Sequence, residues 1–293
     1  MPLGETAALT TAVFWALTGV FFTEASRRIG ALRVNMLRLP LALAPLSLGL
    51  VVTGTSLHSL TPGRSLLLAA SALVGLVVGD LALFRALTSL GPRLSSLLMA
   101  LAPLFATLTG FILLGERLGA RAWVGMLVTL AGVVWVVGEF RGGERGSLRL
   151  WPGAALAVVA AACQGVGLVL AKLGMAGEVS PLAATWVRMV AATATIWGAA
   201  AIAGRTSGLG LRTALRAAWR PVVGGTFFGP FAGVWLSLVA ARLTEVGVAA
   251  TIMSTTPLWM IPLVMTTEGY RPSARAVLGT VVTVAGVALL FYR

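Results

Sequence analysis

Apolar runs of about 20 residues, the length an α-helix needs to cross a bilayer, recur along the whole chain, separated by short clusters of Arg, Gly and Pro. In lipid a backbone must satisfy its own polar groups, so such a chain spans as helices or as a closed barrel. A barrel needs short segments that alternate apolar and polar residues. The runs Trp151 to Ala171 and Ala122 to Val137 are apolar on every face, which selects helices. Only 11% of the 293 residues are charged, against about 25% in soluble domains, and the mean hydropathy is +0.96. These values exclude a soluble enzyme, a disordered chain and a secreted disulfide scaffold. The 35 glycines and 13 prolines suit close packing between membrane helices.

Reading the apolar runs gives ten helices: Leu3–Glu24, Val34–Thr53, Ser65–Leu90, Arg93–Leu114, Ala120–Gly138, Trp151–Lys172, Pro181–Ala203, Ala217–Ala241, Val246–Thr267 and Ser273–Tyr292. The polar stretches Glu139–Leu150 and Gly204–Arg216 are too short to fold as separate domains. The first run has no Lys or Arg before it and is followed by Arg27 and Arg28, the reverse of a cleaved signal peptide, so it is expected to stay as the first membrane helix. Cys163 and His58 are each alone of their kind; no disulfide and no cysteine or histidine metal cluster can be built from them, and both are read as filling space.

A formal net charge of +13 in a soluble protein would suggest a nucleic-acid partner. Position argues otherwise. Nineteen basic residues fall at helix ends or in loops, with no aromatic-interleaved groove, and only Arg38, Arg85 and Arg188 lie within spans. Loops after odd-numbered helices carry thirteen of the nineteen and the opposite side six. The positive-inside rule therefore places the odd loops in the cytoplasm and both termini outside.

Sliding the chain by 154 residues lays Met99–Val133 on Met253–Val287 with 14 identities in 35 positions, including Pro103 on Pro257, Gly125 on Gly279, Thr129 on Thr283 and Gly132 on Gly286. The same shift brings Gly75 and Gly79 onto Gly229 and Gly233, and a shift of 150 brings Arg38 onto Arg188. The chain is a duplication: residues 1–140 form a first five-helix repeat, 141–150 a linker and 151–293 a second repeat. An odd number of helices per copy makes the second copy enter the membrane inverted. The expected fold is an all-α integral membrane protein, ten transmembrane helices in two inverted five-helix repeats around a central cavity. Inverted repeats suit secondary transport, because exchanging the conformations of the two halves turns an outward-open cavity inward.

The segment Leu83–Val137 combines an Ala86-Leu87 pair ending the third helix, a mid-helix Pro103, a G-E-R-L corner at Gly115 to Leu118 and a glycine-rich fifth helix. In these features it resembles the repeat unit of the EamA branch of the drug/metabolite transporter superfamily, and with Arg38 and Arg188 the resemblance covers nearly the whole chain. The second copy departs at the corner, where Glu268 stands two positions before the residue aligned with Glu116. The resemblance implies a ten-helix exporter of small metabolites in the cytoplasmic (inner) membrane of a bacterium. Among the family's substrates are amino acids, nucleosides, sugars and toxic amphiphiles; in general character the chain is most similar to amino-acid exporters, aromatic amino acids included.

Asp80 is the one acid well inside a span, and an ionised carboxylate in lipid faces either a wet cavity or a partner. It is read as part of the substrate or proton pathway, or as a structural pair with Arg38, Arg85 or Arg188. Arg38 and Arg188 lie early in their helices, where each is either a gate latch or a cation snorkelling to headgroups; Glu116 and Glu268 join them as gate or structural charges. Pro103 and Pro257 are expected to bend helices four and nine near their middles, either as hinges or as static kinks. Trp15, Thr18 and Phe22 share one face of helix one, Phe228, Phe231 and Trp235 share a face of helix eight, and Met99 and Met253 precede the two prolines. Such surfaces accept varied apolar groups, and Gln164 adds a deep hydrogen-bonding side chain. The candidate substrate-binding set is Trp15, Asp80, Phe84, Met99, Gln164, Phe231, Trp235, Met253 and Thr256.

No H-E-x-x-H, G-x-S-x-G or P-loop pattern occurs, which argues against an intramembrane enzyme and an ATP-driven pump, and no filter or ring of like charges suggests a channel. The expected function is alternating-access export of small organic metabolites, amino acids first. The alternative is proton-coupled export of toxic amphiphiles or of nucleosides and sugars. The expected partners are a small-molecule substrate and the lipid bilayer, with no cofactor, metal, nucleic acid or obligate protein partner.

Overall fold

Helices form along this chain because each satisfies its own N–H and C=O groups where water is absent. The computed structural model describes residues 3–114, 119–139, 147–203, 210–243, 249, 252–267, 269 and 273–291, and among these the regular structure is helical, with no strand. The first copy comprises α1 (Leu3–Ile29), α2 (Ala31–Thr53), α3 (Pro62–Ala72), a π-helical segment Leu73–Gly79, α4 (Asp80–Met99), α5 (Ala102–Leu114) and α6 (Ala120–Glu139). The second comprises α7 (Ser147–Gly174), α8 (Pro181–Ile202), α9 (Leu211–Thr226), a π-helical segment Phe227–Phe231, α10 (Ala232–Leu243), α11 (Thr256–Thr267) and α12 (Ala274–Phe291). Glu116, Glu268 and the G-E-R-L corner lie outside the described residues.

The third and fourth spans meet inside α4, where Gly91 adopts φ 78°, ψ 168°. A positive φ costs glycine little, and Pro92 then starts the fourth span in its first turn, where its missing N–H removes no helical bond. The third span thus runs over 62–90 as one helix interrupted by the π segment.

Expectation and structure differ at the two matched prolines. Helices four and nine do not bend continuously at Pro103 and Pro257; each stops and restarts. Tight i to i+3 bonds close the first half-helix, with the N–H of Ala100 donating to Leu97 O at 3.1 Å and that of Thr255 donating to Ile252 O at 3.1 Å. Each proline is then the second residue of a new helix, α5 or α11. A proline in mid-helix loses a bond and clashes with the preceding turn, whereas in a first turn it does neither.

The two copies interlock by exchanging equivalent contacts. The first helix of each copy packs on the third and fourth spans of the other: α7 on α3, α4 and α5, and α1 on α9, α10 and α11. The second helices pair, α2 with α8, and so do the fifth, α6 with α12. Glycines set the close approaches. A Cβ built on Gly79 would lie 2.9 Å from Cys163 Cβ in α7, and one on its counterpart Gly233 would lie 3.0 Å from Trp15 Nε1 in α1. Between α6 and α12 the register runs backwards: Thr129 faces Gly286, Gly132 faces Thr283 and Val136 faces Gly279. Equivalent helices therefore pack antiparallel and isologously, which is the inversion that an odd helix count requires. Polar side chains fasten the same seam. Trp186 Nε1 donates to Ser47 Oγ at 2.9 Å, Trp197 Nε1 to Met36 O at 3.1 Å, and Ser71 Oγ to Gly167 O at 2.6 Å.

A Cβ on Gly132 would sit 2.5 Å from Thr283 Oγ1 and 2.7 Å from its backbone nitrogen. Gly132→Val is expected to destabilise the α6–α12 pair by about 1–3 kcal/mol, the usual cost of overpacking, visible as a lower Tm in detergent. Gly198→Ala, where a Cβ meets nothing within 4 Å, leaves Tm unchanged.

Candidate functional site

The two π-helical segments begin at Leu73 and Phe227, positions related by the same 154-residue shift as the repeats. A π segment breaks the regular i to i+4 ladder and frees carbonyls. In the first copy those carbonyls are used. Asn35 Nδ2 donates to Leu76 O at 3.1 Å and Arg38 Nη2 donates to the same oxygen at 3.1 Å, while Gln164 Nε2 reaches Gly75 O at 3.4 Å beside the backbone N–H of Asp80.

Asp80 follows directly at the end of this segment. Arg38 Nη2 donates to its Oδ2 in a buried ion pair, and Gln164 Nε2 donates to its Oδ1 at 2.8 Å. Arg38 Nε donates to Asn35 Oδ1 at 2.7 Å, while its guanidinium lies 5.0 Å from the Phe84 ring centroid and 5.7 Å from that of Phe22. Of the three arginines named as possible partners of Asp80, the ion pair is with Arg38. Arg38 does not snorkel: at 3% exposure its charge is met inside the protein by a carboxylate, a carbonyl and two ring faces. Arg85, by contrast, is exposed.

These groups form part of the wall of a cavity of about 210 Å³ between the two copies. The first copy contributes Trp15, Thr18, Phe22, Arg38, Asp80, Phe84, Ser96, Met99 and Pro103, and the second contributes Gln164, Arg188, Pro230, Val234, Ser237, Met253, Thr256, Pro257 and Met260. Both helix breaks open on it, so α5 and α11 begin at its edge, as in the discontinuous helices that line transporter cavities. Thr256 is committed locally, its hydroxyl lying 2.8 Å from Met253 O and 3.3 Å from Ala12 O.

Of the nine candidate substrate contacts, Trp15, Asp80, Phe84, Met99, Gln164, Met253 and Thr256 line this cavity together, with Pro103, Pro257, Arg38 and Arg188. Phe231 and Trp235 do not. They stack on each other at 6.4 Å and pack against the buried cluster of α2 and α8 side chains that includes Met36 and Met189. The wider turn of the second π segment rotates the helix, so Pro230, Val234 and Ser237 face the cavity and the aromatic face turns away. The face of helix one that carries Trp15, Thr18 and Phe22 does line the cavity, whereas Met260 on the wall and Asn35 behind Arg38 were not singled out in the sequence. Asn35 carried a signal, an amide one turn before an intramembrane arginine.

A family model for the EamA-like transporter family matches residues 2–138 and again 151–292. The chain belongs to the EamA-like transporter family. It is accordingly a multi-pass membrane protein that transports small molecules, in a family of transporters and not of enzymes. No curated protein matches the chain. One solved structure, described only as "Crystal structure of protein", is similar with a TM-score of 0.67 and 20% identity over 98% of this chain and 95% of that one; at that identity it speaks for the fold alone.

Removing one partner of a buried ion pair costs about 3–5 kcal/mol, because the other charge is stranded. Asp80→Asn is expected to lower Tm by roughly 5–15 °C, and Arg38→Gln combined with Asp80→Asn to regain at least half of that loss. A thermal melt of the single and double variants measures the coupling; an additive double variant would show that the pair contributes nothing.

Proposed function

We propose that this EamA-like transporter is an alternating-access exporter of amino acids, aromatic ones included, in the cytoplasmic membrane of a bacterium with both chain termini outside. The observation that carries the reading is a cavity whose wall is drawn from both inverted copies. At about 210 Å³ it lies below the roughly 300–1,000 Å³ of drug-sized pockets, which favours a small metabolite over a bulky amphiphile. Its apolar part, with Trp15, Phe22, Met99, Met253 and Met260, offers polarizable surface that adapts to varied side chains. Its polar part gathers Arg38, Asp80, Gln164 and Arg188 in one region of the wall. The arginine distribution supports the orientation.

Transport in this reading is facilitated and not proton-coupled. Both Asp80 oxygens are engaged, one by Arg38 and one by Gln164, so the deep acid serves as a structural anchor. The second copy has Val234 at the aligned position and supplies no second carboxylate there.

Proteoliposomes preloaded with unlabelled phenylalanine are expected to take up labelled phenylalanine in a saturable manner, several-fold faster than empty ones, with no response to an imposed pH gradient. Trp15→Ala is expected to reduce this exchange at least fivefold while the protein remains folded. Acceleration by a pH gradient would replace facilitation with proton antiport, and absence of exchange for every amino acid would move the search to nucleosides, sugars and amphiphiles.

A further inference from the structure

The two copies share their helix plan, their π segments and their intramembrane arginines, yet they differ in how those arginines are paired. Arg38 in α2 has Asp80 at the end of the first π segment. In the second copy the position aligned with Asp80 is Val234, and the counterpart arginine, Arg188 in α8, reaches to the first π segment, where a Cβ built on Gly75 would lie 3.6 Å from its Nη2. No hydrogen bond or ion pair engages Arg188 among the described residues, and its Nε is fully buried without a partner. The residue is only 5% exposed, so neither water at the surface nor a lipid headgroup neutralises it. It lines the central cavity.

The charge count of the described wall follows directly. Two guanidinium groups and one carboxylate border the cavity, and the carboxylate is held by Arg38 and Gln164. One positive charge is left over, with donors free to turn to a ligand. A buried, unpaired cation is costly unless an anion meets it, and a guanidinium matches a carboxylate with two parallel bonds.

We infer that Arg188 is the receptor for a carboxylate on the transported molecule, so that the cavity selects organic acids and zwitterions with an apolar body over amines and neutral compounds. The inference rests on the central cavity being the transport site and deepens that reading by naming the group recognised. Substrate arrival supplies in the second copy the carboxylate that Asp80 supplies permanently in the first. The apolar body then lies along Phe22, Met99, Met253 and Met260.

The test separates this assignment from amino-acid export by using ligands that share a benzyl body and differ at the head: 3-phenylpropionate, phenylethylamine and 2-phenylethanol. Quenching of intrinsic tryptophan fluorescence and thermal protection are read on the full-length protein in detergent at constant chloride. The wild type is expected to bind 3-phenylpropionate at least tenfold more tightly than the amine or the alcohol. Arg188→Gln is expected to erase that preference, and Arg188→Lys to keep part of it. Val234→Asp adds a carboxylate to the cavity wall that Arg188 also lines, at the position aligned with Asp80, and is expected to abolish acid binding while raising or preserving Tm, which distinguishes loss of the receptor from loss of the fold. Equal binding of all three ligands by the wild type, or an acid preference that survives both Arg188→Gln and Val234→Asp, overturns the assignment. Phenylalanine exchange that persists unchanged in Arg188→Gln liposomes also overturns it and leaves amino-acid export standing. Acid binding that depends on Arg188, with no exchange of any amino acid, retains the carboxylate receptor and removes the amino-acid reading.

Discussion

The ion pair between Arg38 and Asp80 sets the conditions under which the rest of the molecule can assemble. Two opposite charges removed from water carry a desolvation cost that their mutual attraction offsets only with good geometry and additional hydrogen bonds. Here those bonds come from a carbonyl released by the π segment, from Asn35 on the arginine's own helix and from Gln164 across the seam between the copies. The pair therefore needs α2, the third span and α7 to be in place together. That requirement ties a local irregularity of one helix to the association of the two halves.

Away from this cluster the seam is held chiefly by small residues, with a few polar fasteners such as Trp186 on Ser47 and Ser71 on Gly167. Lipid supplies no hydrophobic drive for one helix to join another, so close backbone approach and dispersion do most of the work. Gly132, Gly279 and Gly286 let α6 and α12 come together along their length, while α1 and α7 wedge between spans of the opposite copy. The cavity persists between them because both fourth spans are interrupted where they reach it, leaving helix ends there in place of continuous rods.

Much of this architecture was legible in the sequence. The lengths of the apolar runs gave the spans, and the boundary between Leu90 and Arg93 matches the break at Gly91. The 154-residue shift exposed the duplication, and the odd helix count implied the inversion seen in the register of α6 against α12. The depth of Asp80 marked it as functional or paired, and Arg38 was among its named partners. The face of the eighth span was less legible. A strict 100° turn predicted Phe231 and Trp235 at the cavity, but a π turn is a product of packing and leaves only a weak imprint, here glycines and Pro230. The prolines showed a similar limit, since residue type announces a disrupted helix without saying whether it bends or stops. Burial of Arg38 was hidden for another reason: snorkelling and internal pairing demand the same residue near a helix end.

The reciprocal register of Thr129, Gly132 and Val136 with Gly286, Thr283 and Gly279 has a further meaning for how such a molecule can change. An isologous seam is written once and read twice, so every residue in it answers to an image in the other copy and is held in step with that image. Positions on the cavity wall have no such obligation, as Asp80 and Val234 already show. Divergence can therefore collect on the inner wall while the scaffold stays symmetric, and a new cargo asks for a few altered side chains on an inherited frame.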